Sequence, residues 1–409
     1  MTSTALDDVD VLDVNLLAEP YAFYRRLREE APVWRVPGVE LFLVSTWDGV
    51  AEATGQVEDL SSNLSTLVVR GRDGQPELFD TSVLGPGTTT LATSDPPAHT
   101  VHRKAVFPEL VADRMVLLEP AIEASVDERL AALRMQGSVE WTSAVANPVP
   151  IIAMALAIGF PPEDHPLLLP WAFDGTDLLA GTRTLEEMGP LFAAADAGRG
   201  YVSARLDGAL AAPGDDVIGA IARAVTTGTL TRDEAIGTLI ILLGAAGEST
   251  ASLLGNTVRI LAEDAVLQTR LRGDRSLVPA FVEEAVRLES PFRGHYRQAR
   301  RDTEVAGATI PAGATVYLLW AAANRDPKEF DRPDEVMLDR HAPRHHLGFG
   351  RGIHSCVGAP LARLEANVAL GMLLDRTSNF RLDPSLPPTW AHSVFVRRHE
   401  RLHLAVDWA

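Results

Sequence analysis

The chain carries one cysteine, and its setting constrains the fold more than any other stretch. Cys356 lies in Phe349-Gly350-Arg351-Gly352-Ile353-His354-Ser355-Cys356-Val357-Gly358. Glycines at 350, 352 and 358 let the backbone approach a neighbouring group closely. An amphipathic run opens at Gly358-Ala359-Pro360-Leu361-Ala362-Arg363-Leu364-Glu365-Ala366 and continues to about Leu374. The thiol therefore sits at a helix N-terminus, where the macrodipole and free amides favour a thiolate. A free cysteine is commonly a small buried hydrophobe. Here glycines, His354 and a helix start coincide, which favours an anionic ligand instead.

A thiolate in a dry, glycine-lined loop suits the proximal side of a haem iron. The string Phe-Gly-x-Gly-x-His-x-Cys-x-Gly resembles the cysteine-ligand loop of the cytochrome P450 family, the haem-thiolate monooxygenases. The resemblance spans residues 20–406 and is sharpest at 94–107, 244–256, 281–300, 321–340 and 345–366. It implies a mainly α fold with small β-sheets, holding haem b between a long central helix and the cysteine loop. It also implies a single domain over 1–409, with a short N-terminal arm of about 1–19.

At 409 residues and 46% hydrophobic content, the length allows one large domain or two smaller ones. One cysteine excludes an internal disulfide and fits a reducing compartment. A net charge of −18 argues against a nucleic-acid partner. Residues 1–8 lack the basic-then-apolar pattern of a signal. The nearest approach to a membrane span, 235–247, is short and runs into Glu248. A soluble, cytoplasmic, monomeric protein is the expectation.

Pro20 starts an expected helix to Glu30, and 33–45 reads as a hairpin about Pro37-Gly38. Residues 56–97, rich in Gly, Ser, Thr and Pro, read as loop. Periodicity predicts helices at about 98–107, 116–135, 142–158, 185–212, 214–226 and 277–289. Thr231 and Glu234 form a capping box that opens another, over about 232–262. Short strands are expected at 303–305, 308–310, 314–319 and within 379–406.

Within the apolar run Leu242-Leu243-Gly244-Ala245-Ala246-Gly247-Glu248-Ser249-Thr250, a carboxylate carries a large desolvation cost. The segment resembles the family's oxygen-activating groove, with Glu248 as the acid and Ser249 as the alcohol that relay protons. Ala246 stands where the family has glycine and Ser249 where it has threonine, so Thr250 is the reserve alcohol. Simple pairing of Glu248 with a buried base is the other reading.

Glu284 and Arg287, at i and i+3, resemble the family's Glu-x-x-Arg signature, with Arg340 as third partner and a structural role. The resemblance assigns His99, Arg103, Arg297 and His354 to the haem propionates, and Ala245, Phe349, Gly350 and Gly358 to haem contacts. Charge-assisted hydrogen bonds to carboxylates suit the four cationic or imidazole groups. Singly each is an ordinary surface cation; jointly they are not. His341, His345 and His346 lack a second ligand cluster, so a zinc site is not expected.

The implied reaction inserts one atom of O2 into a small organic substrate, with electrons from NAD(P)H through a reductase and a ferredoxin-type carrier. Arg103, Lys104, Arg344 and Arg351 are expected to form a basic docking face; service to propionates or internal ion pairs is the competing reading. Substrate-pocket candidates are Ile241, Gly244, Phe292, Arg293, His295, Val394 and Phe395, under a mobile roof from 60–90 and 165–195. Arg293 is expected to bind an acidic or carbonyl group of the substrate, or a propionate. A peroxide-driven or isomerising haem-thiolate enzyme and a non-catalytic haem sensor remain the alternatives.

Overall fold

The computed structural model describes residues 5–84 and 87–409. Its axis is the helix Arg232–Glu263. Thr231 Oγ1 accepts from the Glu234 amide at 3.2 Å, and a Glu234 carboxylate oxygen accepts from the Thr231 amide at 2.7 Å. Two otherwise orphaned donors are thereby satisfied, which starts the helix at one residue. By length and apolarity this helix matches a membrane span, yet 61% of its most apolar window is buried inside the fold. Helices Pro148–Ile158, His165–Asp177, Gly189–Ala211 and Ala359–Arg376 pack around it. Gly247 sets the closeness of that packing: a Cβ there would come within 2.4 Å of Ile151 and 3.0 Å of Ala172.

Helices Ala98–Val106, Glu119–Leu133, Val217–Thr226 and Val278–Leu288 form where the periodicity predicts them. Three others of nine or more residues, Trp47–Gly55, His165–Asp177 and Ala265–Gly273, were not expected, nor were the short helices Val14–Ala18, Ala112–Met115 and Trp320–Ala323. Pro166 and Pro170 disguise the second, because proline ordinarily reads as a breaker. The third follows the long helix after one residue, Asp264, whose carboxylate accepts from the Leu267 amide at 2.8 Å. That cap starts a new helix where the sequence reading assigned none.

The main sheet runs Val33–Arg35, Leu41–Val44, Thr315–Leu318, His295–Ala299, Leu60–Ser61. The first two strands form the hairpin about Gly38 (φ 81°). Thr315–Leu318 then pairs parallel with Leu41–Val44 and antiparallel with His295–Ala299. Side chains alternate along the last strand. Tyr296 stacks on Tyr317 in one core, ring centroids 4.4 Å apart, while His295 and Arg297 share the opposite face.

Residues 56–97 are not plain loop. Thr66–Arg70 and Pro76–Asp80 form a hairpin that buries Leu67, Val68 and Val69. The density of Gly, Ser and Pro around it hides a short β-branched run. The arm at 1–19 also joins the core: Val11, Leu12 and Leu17 are buried against Tyr24, Leu41 and Tyr317. Residues 1–4, part of the signal reading, and residues 85 and 86 of the expected roof lie outside the described residues.

Candidate functional site

One cavity of about 1450 Å³, counting its open mouth, lies between the central helix and the cysteine loop. Ile241, Leu242, Ala245, Ala246, Ser249 and Thr250 line it from the central helix. Phe349, Gly350, His354, Cys356 and Gly358 line it from the loop.

The loop is held by its own backbone. Gly350 (φ 70°) and Gly352 (φ 73°) take left-handed conformations that a side chain resists. The Cys356 amide donates to the Phe349 carbonyl at 2.8 Å, closing the loop. Arg363 lies 4.3 Å over the Phe349 ring and ties it to the helix Ala359–Arg376. Burial pushes the Cys356 thiol up; the Gly358 and Ala359 amides, Arg363 and Arg103 pull it back without outweighing burial. The amides at the helix start thus favour the thiolate, as expected, though burial opposes them.

Against the wall between loop and sheet, cations converge, with Asp95 near enough to act on His99 and Arg297 but not paired with either. The His99 and His354 ring centroids lie 4.1 Å apart, the rings tilted by 48°. Arg103 donates to the Ser355 carbonyl at 2.8 Å, and Arg297 to the Tyr296 carbonyl at 2.7 Å. Among the described residues neither arginine has a carboxylate partner. Burial, with Arg297 and His99, holds His354 down to about 3, and burial brings Arg297 down to about 10. Among the described residues His354 Nε2, which is buried, has no hydrogen-bond partner. Such a cluster lowers its free energy by receiving anionic oxygens. Two carboxylates at the edge of a flat macrocycle, above a thiol, fit this wall and floor. The donor set thus fits a haem.

On the central helix Ser249 Oγ donates to the Ala245 carbonyl at 2.5 Å, a back-bond that keeps the hydroxyl at the cavity rim. Glu248 is fully buried and does not line the cavity. One of its oxygens accepts from Arg398 Nε at 2.6 Å; the other has no partner among the described residues. Burial raises its carboxyl to about 7, against the opposing pull of Arg398. Arg398, 4.7 Å over the Phe173 ring, gave no local signal in the sequence because it lies 150 positions away.

Behind the loop, Arg287 donates to both oxygens of Glu284 at 2.8 and 2.9 Å. Arg340 donates to the same oxygens at 2.9 and 3.3 Å. Beside it Glu283 accepts from Arg363 at 2.6 Å and His346 at 2.9 Å. Burial opposes ionisation of Glu283, but His346 and Arg363 outweigh it and bring the carboxyl to about 2. Sequence reasoning missed Glu283; its place beside Glu284 on the same helix was the available signal.

Several pocket expectations are corrected. Ile241, Phe292 and His295 line the cavity, whereas Gly244, Arg293, Val394 and Phe395 do not. Gly244 faces the helix His165–Asp177, near the Ala172 carbonyl. Arg293 is buried and donates to the Val396 carbonyl at 3.0 Å and the Leu17 carbonyl at 2.7 Å. A buried guanidinium needs acceptors, and backbone carbonyls of the two chain ends supply them. Phe395 packs behind Phe292, centroids 4.7 Å apart, and Val394 turns to a separate apolar pocket beside the N-terminal arm. Among the described residues none from 60–90 or 165–195 lines the cavity; the helix His165–Asp177 rests on the far side of Gly247.

Of the expected basic face, Lys104, Arg344 and Arg351 are exposed. Arg340 and Arg363 are taken by Glu284 and Glu283, and Arg344 lies 3.6 Å from Glu283. Among the described residues no cluster of metal-ligating side chains occurs.

Residues 220–389 match the family model described as Cytochrome P450. Cytochrome P450 144 of Mycobacterium tuberculosis is 40% identical over 95% of this chain and 89% of its own length. A beta-dihydromenaquinone-9 omega-hydroxylase of Mycobacterium tuberculosis is 32% identical over 98% of this chain and 79% of its own length. Among solved structures, CYP109E1 from Bacillus megaterium in complex with testosterone superposes with a TM-score of 0.85 at 30% identity, covering 96% of this chain and 99% of that one.

Proposed function

This chain belongs to the cytochrome P450 family and is a haem-thiolate monooxygenase, and from that premise we propose roles for its residues, a lipophilic substrate and a ferredoxin-type electron donor. When bound, the haem supplies reductive activation of dioxygen, so that one oxygen atom enters the substrate and the other leaves as water. Cys356, the sole thiol, ligates the iron as thiolate. His99, Arg103, Arg297 and His354 orient the cofactor through its carboxylates, while Ala245, Phe349, Gly350 and Gly358 enclose it. Glu284, Arg287 and Arg340 brace the loop from behind. The chain acts as one domain, and a cytoplasmic location accords with its bacterial relatives.

Ser249 and Thr250 line the cavity and would pass protons into it, with Glu248 as the acid behind them. A carboxyl at about 7 exchanges protons readily near neutral pH. To reach the cavity Glu248 leaves Arg398, and its unpartnered second oxygen supports such a movement.

The substrate is a mainly apolar molecule. Ile241, Leu242, Ala245 and Phe292 supply hydrocarbon surface, and the buried carbonyl contacts of Arg293 remove it as a carboxylate anchor. Relatives named for menaquinone hydroxylation and crystallised with testosterone fit that class. Lys104, Arg344 and Arg351 offer the exposed positive charge that steers an acidic carrier.

The observation that carries this reading is the sole thiol lying across one cavity from Ser249 and Thr250. Titration of the holoprotein with lipophilic and carboxylated compounds of equal size, followed in the Soret region, tests the substrate class. Lipophilic neutral compounds are expected to shift the band at lower concentration; stronger binding of the carboxylates overturns the assignment.

A further inference from the structure

His295 opens the strand His295–Ala299, two residues before Arg297, so both side chains leave it on one face. Both line the cavity, together with Trp320 and His354. The indole N–H of Trp320 donates to His295 Nδ1 at 2.7 Å. Indole nitrogen is a donor only, so Nδ1 is the acceptor and the neutral ring carries its proton on Nε2. Burial, then the Arg297 charge, holds this imidazole at about 3, which keeps it uncharged. Phe292 and Phe395 fix the ring, each with its centroid 5.5 Å away.

Among the described residues His295 Nε2–H has no hydrogen-bond acceptor. His295 lines the cavity, so a group bound there can accept from this donor. The neighbours are donors too: Arg297 and His354 sit on the same wall, and His295 is among the groups that weigh on His354. A neutral substrate carbonyl answers one such donor. Two carboxylates, with about four lone-pair sites each, answer the whole wall.

We propose that His295 is a fifth donor to a haem carboxylate, through Nε2–H, and that Trp320 is the positioning residue that sets its tautomer. The assignment rests on the haem reading above. It moves His295 from the substrate pocket to the cofactor, and leaves Phe292 as the substrate-facing side chain of that segment.

The test compares loss of haem b with loss of haem dimethyl ester to apomyoglobin, from holoprotein carrying His295→Phe, His295→Gln, Trp320→Phe or Arg297→Ala. His295→Phe is expected to release haem b about tenfold faster than the parent. The two proteins should release the ester, which lacks the anionic oxygens, at equal rates. His295→Gln keeps an N–H donor and should recover most of the retention. Trp320→Phe leaves the strand intact and should raise haem b loss severalfold, with both His295 tautomers visible by nitrogen-15 NMR. Equal acceleration for haem b and the ester would assign His295 a packing role and overturn the proposal. If Arg297→Ala discriminates the two cofactors and His295→Phe does not, only the His295 assignment falls. If neither discriminates, the carboxylate reading of the wall falls with it.

Discussion

The two sides of the cavity are built on opposite electrostatic plans. Behind the cysteine loop, Glu283 and Glu284 accept from Arg363, His346, Arg287 and Arg340, and burial fails to raise either carboxyl. On the central helix Glu248 has one ionic partner and one empty oxygen, and burial raises it to about 7. Saturated ion pairs hold geometry, because removing any partner strands the others in low dielectric. An under-satisfied carboxyl is a poor brace and a good proton store. Glu365 on the helix Ala359–Arg376 shares the Glu248 pattern, raised by burial and with one oxygen unpartnered among the described residues, so the contrast holds between Glu248 and the pairs behind the loop.

The largest break in this contrast is Cys356→Ser, which should abolish the thiolate-type spectrum of the reduced carbonyl complex together with turnover. A retained thiolate-type band would mean another ligand. Next comes Glu284→Gln. It leaves Arg287, which is fully buried, and Arg340 without a carboxylate. A destabilisation of about 3–5 kcal/mol is expected in denaturant titrations, with reduced haem content.

Glu248→Gln should do the reverse: haem content stays at the parent level while product formation slows about 100-fold. The pH dependence sharpens this. The folded carboxyl, at about 7, lies above its ordinary 4.5, so the native state holds the proton more tightly. Its share of stability is present below pH 4.5 and is lost as pH rises through about 7. Turnover that needs the protonated acid should decline over the same upper limb. Arg398→Gln removes the cation that lowers this carboxyl and should move the limb to higher pH. An unmoved limb would detach Glu248 from the profile.

The smallest effect belongs to the surface. Lys104→Glu should slow haem reduction by ferredoxin severalfold at low salt, with the difference vanishing at high salt. Indifference at low salt would remove Lys104 from the docking face.

What could be read without coordinates was local. The capping box at Thr231 and Glu234, the pair at Glu284 and Arg287, and the loop from Phe349 to Gly358 each lie within a few residues. Helical periodicity and backbone sterics act over that range. Misreadings arose where a local rule met a distant partner. Arg293 looked like a pocket cation, but acceptors at Leu17 and Val396 turn it away. Residues 66–80 looked like loop, yet Leu67 and Val69 meet Met188 in a small core. Glu283 went unnoticed because its cations come from Arg363 and His346, on other segments.

The order of residues by itself determined a lone thiol in a glycine turn ahead of a helix, and an acid beside an alcohol in an apolar helix. Tertiary structure alone decided that Glu248 answers to Arg398, that the Trp320 indole meets His295, and that, among the described residues, Arg103 and Arg297 have no carboxylate partner. The reason is physical: spacing dictates which groups share a face, but the partner a buried charge finds depends on which distant segments pack against it.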